Sequence, residues 1–212
     1  MSRKLQPRYD INLAIEQLAY PQSSQRRSAA KKLRQSRDTQ AGHHLLSAFA
    51  KEVQDPRTWE TQYQMIMALA ECGYKKSLPY LRKMASLAGL EPMIYVALGD
   101  AIVRLARRSD NDPAPIMKLL DTKSEWLIEG AFRAIAMLHL TLNIKAVQKI
   151  IAYASTLPHN HHHRFWVAAA AAGWDKMTAS KFLQECVTSE NSDLRKAAAA
   201  SLKGKYLKWN PL

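Results

Sequence analysis

The residues best suited to chemistry in this 212-residue chain are a histidine cluster and a set of lysines and arginines at helical spacing. The cluster reads Pro158-His-Asn-His-His-His-Arg164. On a helix, His159 and His163 stand at i and i+4, where two imidazoles can reach one borderline metal ion. No carboxylate or cysteine lies close by in the sequence to complete such a site. The plainer reading is a polar helix start, and neither metal nor any other cofactor is expected. His43 and His44 are adjacent and cannot share a helix face. Gly-rich phosphate loops, GxSxG elbows, HExxH pairs and CxxC pairs are all missing from the sequence. Cys72 and Cys186 lie in apolar helical surroundings and read as core residues. A non-enzymatic role is therefore the first reading.

Charge is the stronger signal. There are 31 Lys and Arg against 18 Asp and Glu, a net charge of +13 and a pI near 9.8. Such an excess argues for an anionic partner and says nothing about fold. Its distribution is uneven: residues 1–37 hold nine basic residues and two acids, and residues 195–212 hold five and none. Arg26 and Arg27 open a cluster in which Arg27, Lys31 and Arg34 share a face at i, i+4 and i+7. Its bland alternative is a polar cap on the end of a repeat array.

These side chains must be positioned by helices. Hydrophobic residues make up 47% of the chain, enough for a sizeable core. Seven glycines and nine prolines leave little for β turns. Apolar periodicity is helical almost throughout. Breaks at Pro21, Asp55-Pro56, Gly89 to Pro92, Asp110 to Pro113, Pro158 and Ser189 to Ser192 divide the chain. They predict helices near 10–20, 24–36, 39–53, 56–73, 76–88, 91–108, 113–121, 124–140, 143–156, 160–172, 176–188 and 192–208, with no strand. Ala-rich segments ending at Leu33, Leu69, Ile102, Ile135, Ala170 and Leu202 recur at steps of 36, 33, 33, 35 and 32 residues. Each is followed by a second helix with its own apolar stripe.

On the Arg/Ala/Leu spacing of Arg26-Arg-Ser-Ala-Ala-Lys-Lys-Leu33 and Asp193-Leu-Arg-Lys-Ala-Ala-Ala-Ala-Ser-Leu202, with the Pro-containing second helices, the chain resembles the short bacterial HEAT-repeat, armadillo-like proteins. Tetratricopeptide repeats have a similar period, but their Trp, Leu-Gly and Tyr signature is missing. The resemblance implies an all-α fold, a right-handed α-solenoid of about five HEAT-like helix pairs plus terminal helices. It implies one domain over 1–212, with repeats near 23–54, 55–89, 90–121, 122–157 and 158–190 and a terminal helix at 191–208. In that family the second helices line the concave face. Here they carry most of the positive charge of the middle of the chain, while acids gather in turns at Asp110, Asp112, Asp121, Asp175 and Glu190. The implied basic groove holds Lys75, Lys76, Arg82, Lys83, Lys118, Lys145, Lys149, Lys176 and Lys181.

The tryptophans are candidate stacking platforms, but Trp59, Met93 and Trp126 fall at one repeat position and read as a packing ridge. Asp100 and Arg133 also share a repeat position, and an inter-repeat ion pair is expected of them. The resemblance allows a sharper alternative, a HEAT-like alkylpurine DNA glycosylase with Asp100 beside an aromatic residue. Here Val96 stands one turn before Asp100 where an aromatic is wanted. The leading functional expectation is an adaptor that recognises an acidic protein partner through the groove and the basic N-terminal helix. Nucleic acid, held by its phosphates, is the alternative; the glycosylase follows, and a chromophore lyase comes last. The N-terminal stretch MSRKLQPRYD lacks an apolar segment, and no apolar run approaches the ~18 residues of a membrane span. A cytoplasmic protein with no membrane partner is expected.

Overall fold

A computed structural model describes residues 10–207. The fold is all-α, with twelve α-helices and no strand among those residues. They are α1 (Ile11–Gln17), α2 (Ser23–Ser36), α3 (Gly42–Glu52), α4 (Trp59–Glu71), α5 (Leu78–Ala85), α6 (Pro92–Ala106), α7 (Ala114–Asp121), α8 (Glu125–Leu138), α9 (Ile144–Ser155), α10 (His162–Ala170), α11 (Lys176–Cys186) and α12 (Ser192–Leu202). Order and number agree with the helices expected from sequence. The last one ends at Leu202, with Lys203 as its C-cap, short of the expected end near 208. No helix among them is long and apolar enough to cross a membrane.

The turn residues define the helix ends by capping. Asp10 accepts from Leu13 N–H at 3.1 Å, Asn143 from Ala146 N–H at 3.0 Å, and Asp175 from Thr178 N–H at 2.8 Å. Asn191 accepts from both Asp193 and Leu194. Each cap satisfies an orphan N–H of a first turn. Asp112 does the same in the turn before α7, accepting from Ala114 N–H and from Arg108 N–H, both at 3.0 Å. Turn carboxylates are thus recruited by helix termini.

Two compact units divide the chain after Leu105. In the first, α1 packs on α2, α2 on α4, and α3 on α4. Helix α4 is buried on all sides from Thr61 to Ala70, as befits a helix with no polar face to show. Ala29, Ala30 and Ala68 are fully buried, so α2 and α4 approach closely with little side-chain volume between them. Polar groups in α4 are satisfied within the unit: Gln62 donates to the backbone carbonyl of Asp55 at 2.9 Å. In the second unit, α8 packs on α10 and α10 on α12, while α9 packs on α11 and α10, and α7 on α8. Phe132 of α8 is fully buried, edge-on to Tyr153 and His163. Arg164 of α10 is also buried, over the Phe182 ring at 5.0 Å and donating to the backbone carbonyl of Ala154.

Gly42, the first residue of α3, sits against Tyr74. A Cβ there would lie 2.7 Å from Tyr74 Cβ and closer still to its ring. Because that obstacle is anchored to the backbone, Gly42→Ala is expected to destabilise by about 1–3 kcal/mol. The small gain in helix propensity at a first turn does not offset this. Urea unfolding of the two proteins measures the difference.

Candidate functional site

The N-terminal basic cluster is largely occupied by internal partners. Arg26 forms a two-pronged pair with Glu52 of α3, Nε to Oε2 at 2.6 Å and Nη2 to Oε1 at 2.9 Å. Its remaining Nη1 donates to the carbonyls of Tyr20 and Pro21. Burial would push the Glu52 carboxyl up, but hydrogen bonds from Arg26, Thr58 and Ser23 outweigh burial and hold it below its ordinary value. Arg27 pairs with Glu60, and Arg37 with Glu71 at 3.3 Å. Arg34 is buried and donates to Gln64 at 3.3 Å. Lys32 donates to Gln17. Of the four cations expected to bind a partner here, only Lys31 is fully exposed. The face carrying Arg26 and Arg34 is turned into the unit, which corrects their assignment to a partner surface. Their sequence spacing was right for a helix face, but the acids that neutralise them come from α3 and α4. A cleft of about 450 Å³ opens beside this pair, lined by Ile15, Leu18, Tyr20, His44 and Lys51 with Arg26 and Glu52.

The second helices differ. In unit 1, Lys75 and Lys76 occupy a short 3-10 segment, Lys75–Ser77, leading into α5, which carries Arg82 and Lys83. Leu81 and Met84 form the buried stripe of α5. The four cations are exposed, and none forms an ion pair with a described residue. In unit 2, Lys118, Lys145, Lys176 and Lys181 are likewise exposed without an acidic partner among the described residues. Lys149 lies 3.7 Å from Asp121, but both side chains are more than half exposed, so the contact contributes little.

Large apolar residues stand among these cations. Ile144 (54% exposed) precedes Lys145, Met177 (90%) follows Lys176, and Leu87 (44%) comes just after α5. Buried residues of α9 are Ala146, Val147, Ile150 and Ala154; of α11, Ala179, Phe182, Leu183 and Cys186. Helical geometry therefore puts Ile144 with Lys145 and Lys149 on the outward face of α9, and Met177 with Lys181 on that of α11. Sequence reading found the lysines and missed the apolar residues, whose position opposite a buried stripe was the available signal.

Asp100, fully buried in α6, is paired with Arg104 one turn on, and Arg104 reaches Glu71 of α4 at 3.3 Å. Arg133 is buried in α8 of the other unit. Trp59, Met93 and Trp126 are half-buried in the first turns of α4, α6 and α8. Trp174 is buried with Nε1 donating to Leu140 O, and Trp166 donates to Glu129 Oε1 at 3.4 Å. Cys72 and Cys186 are buried free thiols. Burial pushes Cys72 up to about 12, where thiolate chemistry is closed to it at neutral pH.

The histidine cluster begins α10. His161 is the N-cap, its Nδ1 accepting from His163 N–H at 3.2 Å. His159 therefore lies outside the helix, exposed, and does not stand one helical turn from His163. His163 is fully buried and uses both ring nitrogens. Its Nε2 is 3.0 Å from the Glu125 backbone carbonyl, which can only accept, so Nε2 carries the proton. Its Nδ1 then accepts from Tyr153 O–H at 3.2 Å. Burial, with His162 and His161 nearby, pushes His163 down to about 3, and it stays neutral. Burial beside His162 also holds His161 below the ordinary histidine value. Glu125 and Glu129 of α8 face the cluster. His161 Nε2 and His162 Nε2 lie 3.6 and 3.7 Å from Glu125 Oε1, and His162 Nε2 lies 3.2 Å from Glu129 Oε2.

No protein-family model matches the chain, and no curated protein matches it. Two engineered proteins, both structural-genomics targets with crystal structures, are similar in structure. One is 16% identical with a TM-score of 0.49, over 92% of this chain and 98% of that one. The other is 17% identical with a TM-score of 0.43, over 94% and 99%. Neither assigns a family or a function to the chain.

Proposed function

We propose that the chain is a non-enzymatic binding protein of HEAT-like helix pairs that takes an acidic, partly apolar protein segment along the outward faces of its second helices. The repeat reading is supported by the packing of successive first helices, α2 on α4 and α8 on α10 on α12, and of second helices α9 on α11. A right-handed solenoid is the arrangement we infer for such pairs within each unit. The observation that carries the binding reading is the pairing of unneutralised lysines with exposed Ile144 and Met177 on α9 and α11. Lysines alone suit any polyanion. A phosphate backbone has no use for an adjoining methionine, whereas acidic segments with interspersed Leu or Phe bury it.

The same cations give nucleic acid as the alternative, by phosphate contacts whose affinity falls steeply with salt. Titration of the intact chain with a fluorescent Glu- and Leu-containing peptide and with a short DNA duplex separates the two. The peptide is expected to bind more tightly at moderate salt. Met177→Ser is expected to weaken the peptide several-fold and leave the duplex unchanged. Absence of peptide binding at low salt overturns the proposal, and preference for duplex with no effect of Met177→Ser favours nucleic acid.

A further inference from the structure

The histidines that open α10 lie beside two carboxylates in the first turns of α8. His161, His162 and His163 each bring a ring nitrogen within 4.8 Å of the others, but His163 is committed to Tyr153 and the Glu125 carbonyl. The pieces left are His161 Nε2 and His162 Nε2, 3.6 and 3.7 Å from Glu125 Oε1, and Glu129 Oε2, 3.2 Å from His162 Nε2. A tetrahedral ion with bonds of ~2.05 Å to nitrogen and oxygen has ligand–ligand edges of about 3.3 Å. The three separations lie close to that edge length.

His162 Nε2 supplies a second, independent sign. It is buried and makes no hydrogen bond, although Glu129 Oε2 is 3.2 Å away. The two atoms are near each other without being aligned, as atoms are when both are directed toward a third. The His162 ring stacks on Trp126 (centroids 5.6 Å, 13° apart) and on His161 (4.3 Å, 22°). Because an imidazole ligates in its own plane, the His161 ring turns out of this stack as the ion enters. Trp166 Nε1 donates to Glu129 Oε1, which fixes the carboxylate and leaves Oε2 available. Hydrogen bonds of this outer kind orient metal ligands in built sites.

We propose that His161, His162, Glu125 and Glu129 form a binding site for a divalent transition-metal ion of the zinc class, joining the N-terminal turns of α8 and α10. Two imidazoles and two carboxylates are a borderline donor set that suits Zn²⁺ over Ca²⁺ or Mg²⁺, which take oxygen alone. Ligation by His161 through Nε2 requires a proton on Nδ1, so that ring gives up its cap bond from His163 N–H when the ion enters. His162, Glu125 and Glu129 lose nothing comparable.

The test is competition for Zn²⁺ between the intact chain and a chromophoric chelator, with thermal unfolding measured in parallel. One equivalent of Zn²⁺ is expected to bind and to raise the melting temperature. Glu129→Gln and Glu125→Gln are expected to weaken binding by roughly tenfold or more, and Trp166→Phe by roughly tenfold through the loosened carboxylate. Glu125 is half exposed, so its variant keeps the fold even where Glu129→Gln does not. His159→Gln and a His43→Gln, His44→Gln double variant are expected to bind as the parent does. The proposal is overturned if the parent shows no saturable uptake, if Glu125→Gln binds as tightly as the parent, or if the His159 or His43/His44 variants abolish uptake.

Discussion

Glu52→Ala is expected to destabilise the chain by about 3 kcal/mol, near the lower end of the range for removing one partner of a buried pair. Glu52 is buried (5% exposed) and gathers Arg26, Ser23 and the end of α3 at one point, with Ser23 Oγ donating to Oε1 at 3.1 Å. Its removal leaves the Arg26 guanidinium, 20% exposed, held only by the Tyr20 and Pro21 carbonyls. The pH dependence has a definite sign. The folded-state value of Glu52 lies below its unfolded value of about 4.3, so its contribution is complete above that pH and disappears as pH falls through the folded value. Urea unfolding at pH 7 is expected to separate the variant from the parent. The gap is expected to shrink as pH falls below about 4.3. An equal gap at both ends of that range contradicts the assignment of Arg26 to the interior.

Reversing the four cations of the Lys75–Ser77 segment and α5 has the opposite profile, with a large effect on binding and little on folding. Lys75→Glu, Lys76→Glu, Arg82→Glu and Lys83→Glu together are expected to weaken the acidic peptide roughly 100-fold or more, since like charges placed against a partner cost several kcal/mol. All four side chains are exposed and unpaired among the described residues, so surface substitution moves stability little. Peptide titration and a thermal melt on the same sample read both quantities. Intact binding in the folded variant removes unit 1 from the binding surface.

The helices were legible because their signals are local. Asp, Asn and Pro at the turns, with periodic apolar residues between them, recover all twelve, with errors only at the ends. Residues 56–58, read as the start of a helix, form a 3-10 turn capped by Asp55 before α4. Pairing across helices was not legible. Arg26 and Arg27 read as part of a partner-binding cluster because their acids, Glu52 and Glu60, stand on later helices, far along the chain. The surroundings of the histidine cluster were hidden for the same reason. Its carboxylates, Glu125 and Glu129, come from the preceding repeat at i and i+4, and a search confined to neighbouring residues passes over them. That His161 caps α10, which expels His159 from the helix, depends on a side-chain bond that composition does not announce.

The central claim is that the anionic partner lies on the second helices and not on α2. Lysine footprinting addresses it most directly: acetylation of the intact chain with and without the acidic peptide, read residue by residue by mass spectrometry. Protection of Lys75, Lys76 and Lys83, and of Lys145, Lys149 and Lys181, with Lys31 and Lys32 equally reactive in both states, is the predicted result. Protection of Lys31 and Lys32 with the second-helix lysines unchanged would contradict it.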